Sequence, residues 1–137
     1  MKVIIDTNLW ISFLIGKRLA ALSSLLTNSK LSIFFCDELI KEIGITSSKQ
    51  KIRKYISDDD VIDTYEIIKK YCVHAIINKI AVSSIRDIKD LYLLSLADTV
   101  QADYLLTGDK DLLELQFHNS TKIVTYNEFK VVLAAKQ

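Results

Sequence analysis

The sequence predicts an α/β protein, a parallel sheet sandwiched between helices, on three observations. Short apolar runs without period-two alternation, such as Val3-Ile4-Ile5 and Tyr104-Leu105-Leu106, recur along the chain, as strands buried on both faces require. Longer segments with helical spacing of apolar residues lie between them, residues 90–101 most strongly. Polar strings that suit helix starts, Asp6-Thr7-Asn8 and Thr107-Gly108-Asp109, follow two of the runs directly. Strands alternating with helices in this way form parallel sheets covered on both faces.

Residues 3–5 make the first predicted strand, followed by helices over 8–14 and 17–26 with Gly16 as the break. A second strand over 31–36 leads into a helix over 37–45, capped by Asp37 or its neighbour. Two helices are then predicted over 47–56 and 58–72. Ser47 and Ser48 open the first, and Asp58-Asp59-Asp60 opens the second at the end where the helix dipole favours anions. A third strand over 73–77, the helix over 90–101, a strand over 104–106, a short helix over 109–115, a strand over 122–125 and a helix over 127–135 complete the order.

A chain of 137 residues without proline, repeats or low-complexity stretches fits one domain over residues 1–137. Half of it is hydrophobic and about a quarter charged, the profile of a globular protein. A net charge of +1 neither demands nor excludes nucleic acid, because local clustering outweighs the sum. Cys36 and Cys72 sit in apolar surroundings and read as small buried thiols of a reducing compartment, not a disulfide or zinc site. No secretory leader is legible, and no apolar stretch reaches the roughly 20 residues that a membrane helix needs. The expected location is the cytoplasm.

Acids carry the chemistry. Asp6 and Asp109 follow strands directly, Glu42 lies in the helix after the second strand beside Leu39, Ile40 and Ile43, and Asp90 opens the 90–101 helix. In an open parallel sheet the binding crevice lies outside the carboxyl ends of the strands. Carboxylates gathered there hold hard divalent cations, and such cations promote phosphodiester hydrolysis. The plainer reading makes each Asp a helix cap, with Asp87 and Asp90 as a capping pair, and Glu42 a flanking residue with its tip in water. Thr7 and Asn8 exceed the needs of one cap and can fix the Asp6 rotamer. Asp109 and Asp111 crowd one helix start, which a cation between them would relieve. Asp98 belongs to the solvent side or flank of its helix, and His74 and His118 read as structural. Serine elbows, Walker loops and dinucleotide glycine patterns are absent from the sequence.

Together these strings resemble the PIN domain family of metal-dependent ribonucleases, and more nearly its single-domain prokaryotic toxin components, the VapC-type group. The similarity runs from Val3 to about Phe129. It is most specific at Ile5-Asp6-Thr7-Asn8 with Ser12, and at Asp87-x-x-Asp90 through Leu94 and Ala97 to Thr107-Gly108-Asp109-x-Asp111-Leu112-Leu113. Ile88 stands where many relatives have proline, and Leu91 where a small polar residue is frequent.

The resemblance implies a three-layer sandwich with a five-stranded parallel sheet, often dimeric. It places the four acids on Asp6, Glu42, Asp90 and Asp109, with Thr7, Asn8, Ser12, Thr107, Asp87 and Asp111 around them. It implies one or two Mg²⁺ or Mn²⁺ ions, endonucleolytic RNA hydrolysis, and an antitoxin that buries the cleft. Lys49, Lys51, Arg53 and Lys54, with Lys17 and Arg18 near the first acid string, are the cations placed to grip RNA phosphates; the plainer reading is a solvated helix face. A catalytically silent PIN-like RNA- or protein-binding module is the rival. A phospho-acceptor receiver is the weaker one, since it would want a lysine ending the last strand, and Lys122 starts it.

Overall fold

A computed structural model describes residues 1–83 and 90–136. It is α/β, with β1 (Lys2–Ile5), α1 (Thr7–Ile15), α2 (Leu19–Leu26), β2 (Ser32–Phe35), α3 (Asp37–Ser47), α4 (Gln50–Arg53) and α5 (Asp58–Tyr71) in its first half. Then come β3 (Val73–His74), α6 (Leu91–Val100), β4 (Tyr104–Leu106), α7 (Lys110–Leu115), β5 (Phe117–His118), β6 (Thr121–Val124) and α8 (Tyr126–Ala135). Among the described residues the strands form one six-stranded sheet in the order β3-β2-β1-β4-β6-β5. The first five are parallel, as the sequence predicts, and β5 pairs antiparallel with β6.

The added edge strand corrects the expectation of five. Phe117 and His118 were invisible as a strand because two residues carry no period. What makes them one is a tight turn in which Asn119 takes φ 51°, a conformation that asparagine tolerates better than most residues.

The non-alternating runs are central strands. Val3, Ile4 and Ile5 are all buried, as are Leu105 and Leu106 beside them. The helices pack on this slab with Leu93, Leu94 and Leu96 of α6, Leu39 and Ile43 of α3, and Phe129 of α8 fully buried. Phe129 meets the Tyr104 ring with centroids 5.2 Å apart, and Tyr126 meets Phe13 of α1 edge-on at the same separation. Cys36 and Cys72 are buried free thiols. Burial pushes them up to about 11 and about 12 respectively, which keeps them protonated and poorly nucleophilic.

The helix expected over 47–56 shrinks to the single turn of α4. Ser47 and Ser48 end a helix instead of opening one: their hydroxyls donate to the Gly44 and Ile45 carbonyls and close α3. The acid run does open α5, but Ser57 caps it, with its side chain accepting from the Asp60 N–H while the Asp60 carboxylate accepts from the Ser57 N–H. Ser57→Ala is expected to lower stability by about 1 kcal/mol. Chemical denaturation checks this, and an unchanged midpoint would make the box energetically idle.

Candidate active site

The strand order places the site. From β1 the chain steps outward to β2 and β3, then returns to the other side of β1 for β4 and β6. Strand order therefore reverses between β1 and β4, and ligands of open α/β sheets bind in the crevice beyond the carboxyl ends at that point. Asp6 follows β1 there, and Thr107-Gly108-Asp109 follows β4.

Register then does the joining. Ile5 pairs with Leu106, and Leu106 with Val124, so the residues just past the strands come level. The Asp6 N–H donates to the Leu106 carbonyl at 2.9 Å, and the Thr107 N–H to the Val124 carbonyl at 3.0 Å. Asp6 is 3% exposed and Thr107 1%. The Thr107 hydroxyl donates to Asp6 Oδ2 at 2.7 Å and accepts from the Asp109 N–H at 3.0 Å. One buried hydroxyl thus ties together the two strongest acid strings, about a hundred residues apart in sequence.

The capping readings separate here. Asp109 is a cap: its Oδ1 accepts from the Asp111 and Leu112 N–H groups at 2.8 and 3.3 Å. Asp6 occupies the cap position of α1 without a well-formed capping hydrogen bond: its carboxylate accepts from the Thr107 hydroxyl, and the Asn8 and Thr7 amides reach it as weaker contributors. Asp90 occupies the cap position of α6 and likewise makes no capping bond to that helix. Asp87 lies outside the described residues. Burial pushes the Asp6 carboxyl above its ordinary value. The Thr107 hydroxyl and the Asn8 and Thr7 amides act the other way, while the Asp109 charge adds to the rise.

Glu42 is half-buried on α3, which packs against α1. Tyr92, a residue that sequence reasoning passed over, lies within charge reach of both Glu42 and Asp6. The Tyr92 phenol lies 3.1 Å from the buried Thr7 hydroxyl. Burial holds it well above the usual phenol range, and the Asp6 and Glu42 charges both reach it. Its signal was a polar-tipped aromatic two residues after Asp90, inside an otherwise apolar helix.

Among the expected phosphate-gripping cations, Arg18, Lys49 and Lys51 line one groove of about 570 Å³ together with Asn8 and Ser12. Arg53 is turned to Asp58 of α5, and Lys17 stands within charge reach of Asp60. Lys54 ends α4, away from the groove lining. The histidines have partners elsewhere. His74 on β3 is half-exposed and bonds Asp37 at 2.9 Å. His118 is buried on β5 with Nε2 3.0 Å from Asp98 Oδ2. Asp98 also accepts from the Asn119 side-chain amide at 2.8 Å. It therefore pins the β5–β6 turn to α6, and of its two expected places, solvent side or helix flank, the solvent side is corrected.

A PIN domain model matches residues 2–111, a span that includes Asp6, Glu42, Asp90 and Asp109. The chain is also 32% identical over 123 residues to an uncharacterized protein of Methanocaldococcus jannaschii, covering 87% of this chain and 77% of that one. With the family model spanning most of its length, the chain belongs to the PIN domain family.

Proposed function

We propose that the protein is a metal-dependent endoribonuclease, a single domain over residues 1–137, and the toxin component of a toxin–antitoxin pair. The observation that carries the nuclease reading is the Thr107 hydroxyl holding buried Asp6 beside Asp109 at the switch point of the sheet. Membership of a family of nucleases supports it.

The donor set fits a hard divalent ion. Burial and the Asp109 charge both disfavour ionised Asp6, and a cation would relieve both. Asp6, Asp109, Asp90 and Glu42 would hold Mg²⁺ or Mn²⁺. Among the described residues no three His, Cys, Asp or Glu side chains stand close enough together to hold an ion; the fit rests on the Asp6–Asp109 pair, and Asp90 and Glu42 would have to close on the ion. When bound, such an ion supplies a nucleophilic water of lowered pKa and neutralises charge on the phosphate.

The chain's own residues do the rest. Thr107 fixes one Asp6 oxygen, the α7 amides fix one Asp109 oxygen, and the Thr7–Tyr92 contact holds the first turn of α1. On this reading the partners are RNA, a cognate antitoxin over the cleft and a second copy of the chain, in the cytoplasm. No helix among the described residues is long and apolar enough to cross a membrane.

The test is cleavage of a mixed RNA pool with Mg²⁺ or Mn²⁺ against EDTA. Internal cuts that need metal support the proposal. No cutting, with no metal binding by calorimetry, would sink it and leave a catalytically silent PIN-like binding module. Thermal unfolding gives a second readout. Metal at a hundredfold excess over its Kd is expected to add about 2.7 kcal/mol, on the order of 10 °C for a domain this size. A melting temperature indifferent to Mn²⁺ would leave the acids without their ion.

A further inference from the structure

The acids of the site offer a phosphate nothing but acceptors. An ionised carboxylate has no proton to donate, and the Thr107 hydroxyl spends its proton on Asp6. Phosphate oxygens are acceptors too, so a donor beside the acids has chemical value. Tyr92 is placed to be that donor.

Its position comes from β1, α1 and α6 together. Thr7 follows Asp6 at the carboxyl end of β1 and opens α1. Tyr92 lies in the first turn of α6, two residues after Asp90, and its phenol reaches across to the Thr7 hydroxyl at 3.1 Å. The tyrosine is only partly buried, whereas Thr7 is 4% exposed.

Counting protons settles the direction of that bond. The two hydroxyls carry two protons and share one hydrogen bond, and neither makes another among the described residues. If the phenol donated, the Thr7 proton would be sealed in the core with no acceptor, a costly arrangement. Thr7 therefore donates, and the proton left over sits on the more accessible group. Neither Asp6 nor Glu42 takes it in a hydrogen bond, although the charge of each reaches the phenol. Burial keeps the phenol protonated, and a hydroxyl that accepts one bond donates a stronger one.

Resting on the ribonuclease reading, we propose that Tyr92 is a catalytic residue whose phenol donates a hydrogen bond to a nonbridging oxygen of the scissile phosphate. The bond strengthens as charge gathers on that oxygen during attack. Its hold on Thr7 uses only an oxygen lone pair, so the two roles are compatible.

The experiment compares Tyr92→Phe with wild type on a short oligoribonucleotide spanning a cut mapped in the RNA pool. The cleaved linkage carries oxygen or one phosphorothioate, as separate Rp and Sp diastereomers. With oxygen, the variant should lose about a hundredfold in kcat, as when one preorganised donor is removed, with KM little changed. Sulfur accepts hydrogen bonds poorly, so at one diastereomer the wild-type sulfur penalty should shrink several-fold in the variant. The other diastereomer should show no such coupling. Mn²⁺ should raise the melting temperature of both proteins alike.

Phenylalanine strands the Thr7 proton, so the pair is also removed as a unit. Thr7→Val with Tyr92→Phe leaves no hydroxyl over and should regain stability that the single variant loses. It should stay as slow, and as indifferent to the same sulfur.

A Tyr92→Phe protein with the wild-type rate overturns the assignment. So does a slow variant with both sulfur penalties unchanged, which would leave the phenol acting on the carboxylates or the attacking water. Recovery of the rate in the double variant overturns it as well, because only the stranded Thr7 proton was then at fault. If wild type itself does not cut, the nuclease reading falls, and binding of a fluorescein-labelled oligouridylate in Mn²⁺ decides the contact. Weaker binding to Tyr92→Phe then keeps the phosphate contact, and equal binding overturns it too.

Discussion

Asp6→Asn is expected to abolish metal-dependent cleavage while leaving the fold intact or more stable. The loss should exceed the 10–100-fold that removal of a supporting partner costs, because the substitution removes the charge itself from the centre of the site. Asparagine keeps the side chain's shape and can still accept from Thr107 through its amide oxygen.

The stability effect follows from the raised carboxyl. Asp6 holds its proton in the folded chain to higher pH than the ordinary 3.8, so between those two values the folded state binds more protons than the unfolded one. Stability of the metal-free protein therefore falls as pH rises from 3.8 through the raised value, and the penalty stays in full above it. Asparagine has no such penalty. In EDTA, wild type should lose melting temperature relative to Asp6→Asn as pH climbs through that window, and Mn²⁺ should restore it to wild type alone. A difference between the two proteins that is flat with pH, or of opposite sign, would show that burial does not govern this carboxylate.

Thr107→Val is the second large effect. Valine keeps the shape but removes the hydroxyl that donates to Asp6 and accepts from the Asp109 N–H. Leaving buried polar groups without a partner costs about 1–3 kcal/mol, and losing the support of a metal-binding carboxylate typically costs 10–100-fold in activity. The Thr107 bond also lowers the Asp6 carboxyl, so in the valine variant the acid limb of the pH–rate profile should move to higher pH. Thr107→Ser should restore activity and profile together. If valine cleaves with wild-type rate and pH dependence, Thr107 is packing, and the bridge has no part in the chemistry.

Much of the candidate site was legible before the structure, for a local reason. A strand buried on both faces must be continuously apolar, so the first acid after Val3-Ile4-Ile5 and after Tyr104-Leu105-Leu106-Thr107-Gly108 marks the strand's carboxyl end. That pattern located Asp6 and Asp109, and parallel order put both on one edge. Glu42 is assigned to the site only through resemblance, because a glutamate bordering an apolar stripe looks the same whether its tip meets water or a cleft. Tyr92 was missed for the matching reason: an aromatic inside an apolar helix carries no local sign of which hydroxyl it will meet.

Chain-local chemistry by itself determined where the central strands run, which acids end them, and that a parallel sheet carries them. Tertiary structure alone decided the rest. Pairing Ile5 with Leu106 set Thr107 beside Asp6, folding α3 onto α1 brought Glu42 within charge reach of Tyr92, and α1 with α4 closed a cationic groove from residues some forty positions apart. Period and composition report a residue's neighbours along the chain, whereas register and helix packing are fixed by burying the whole core at once.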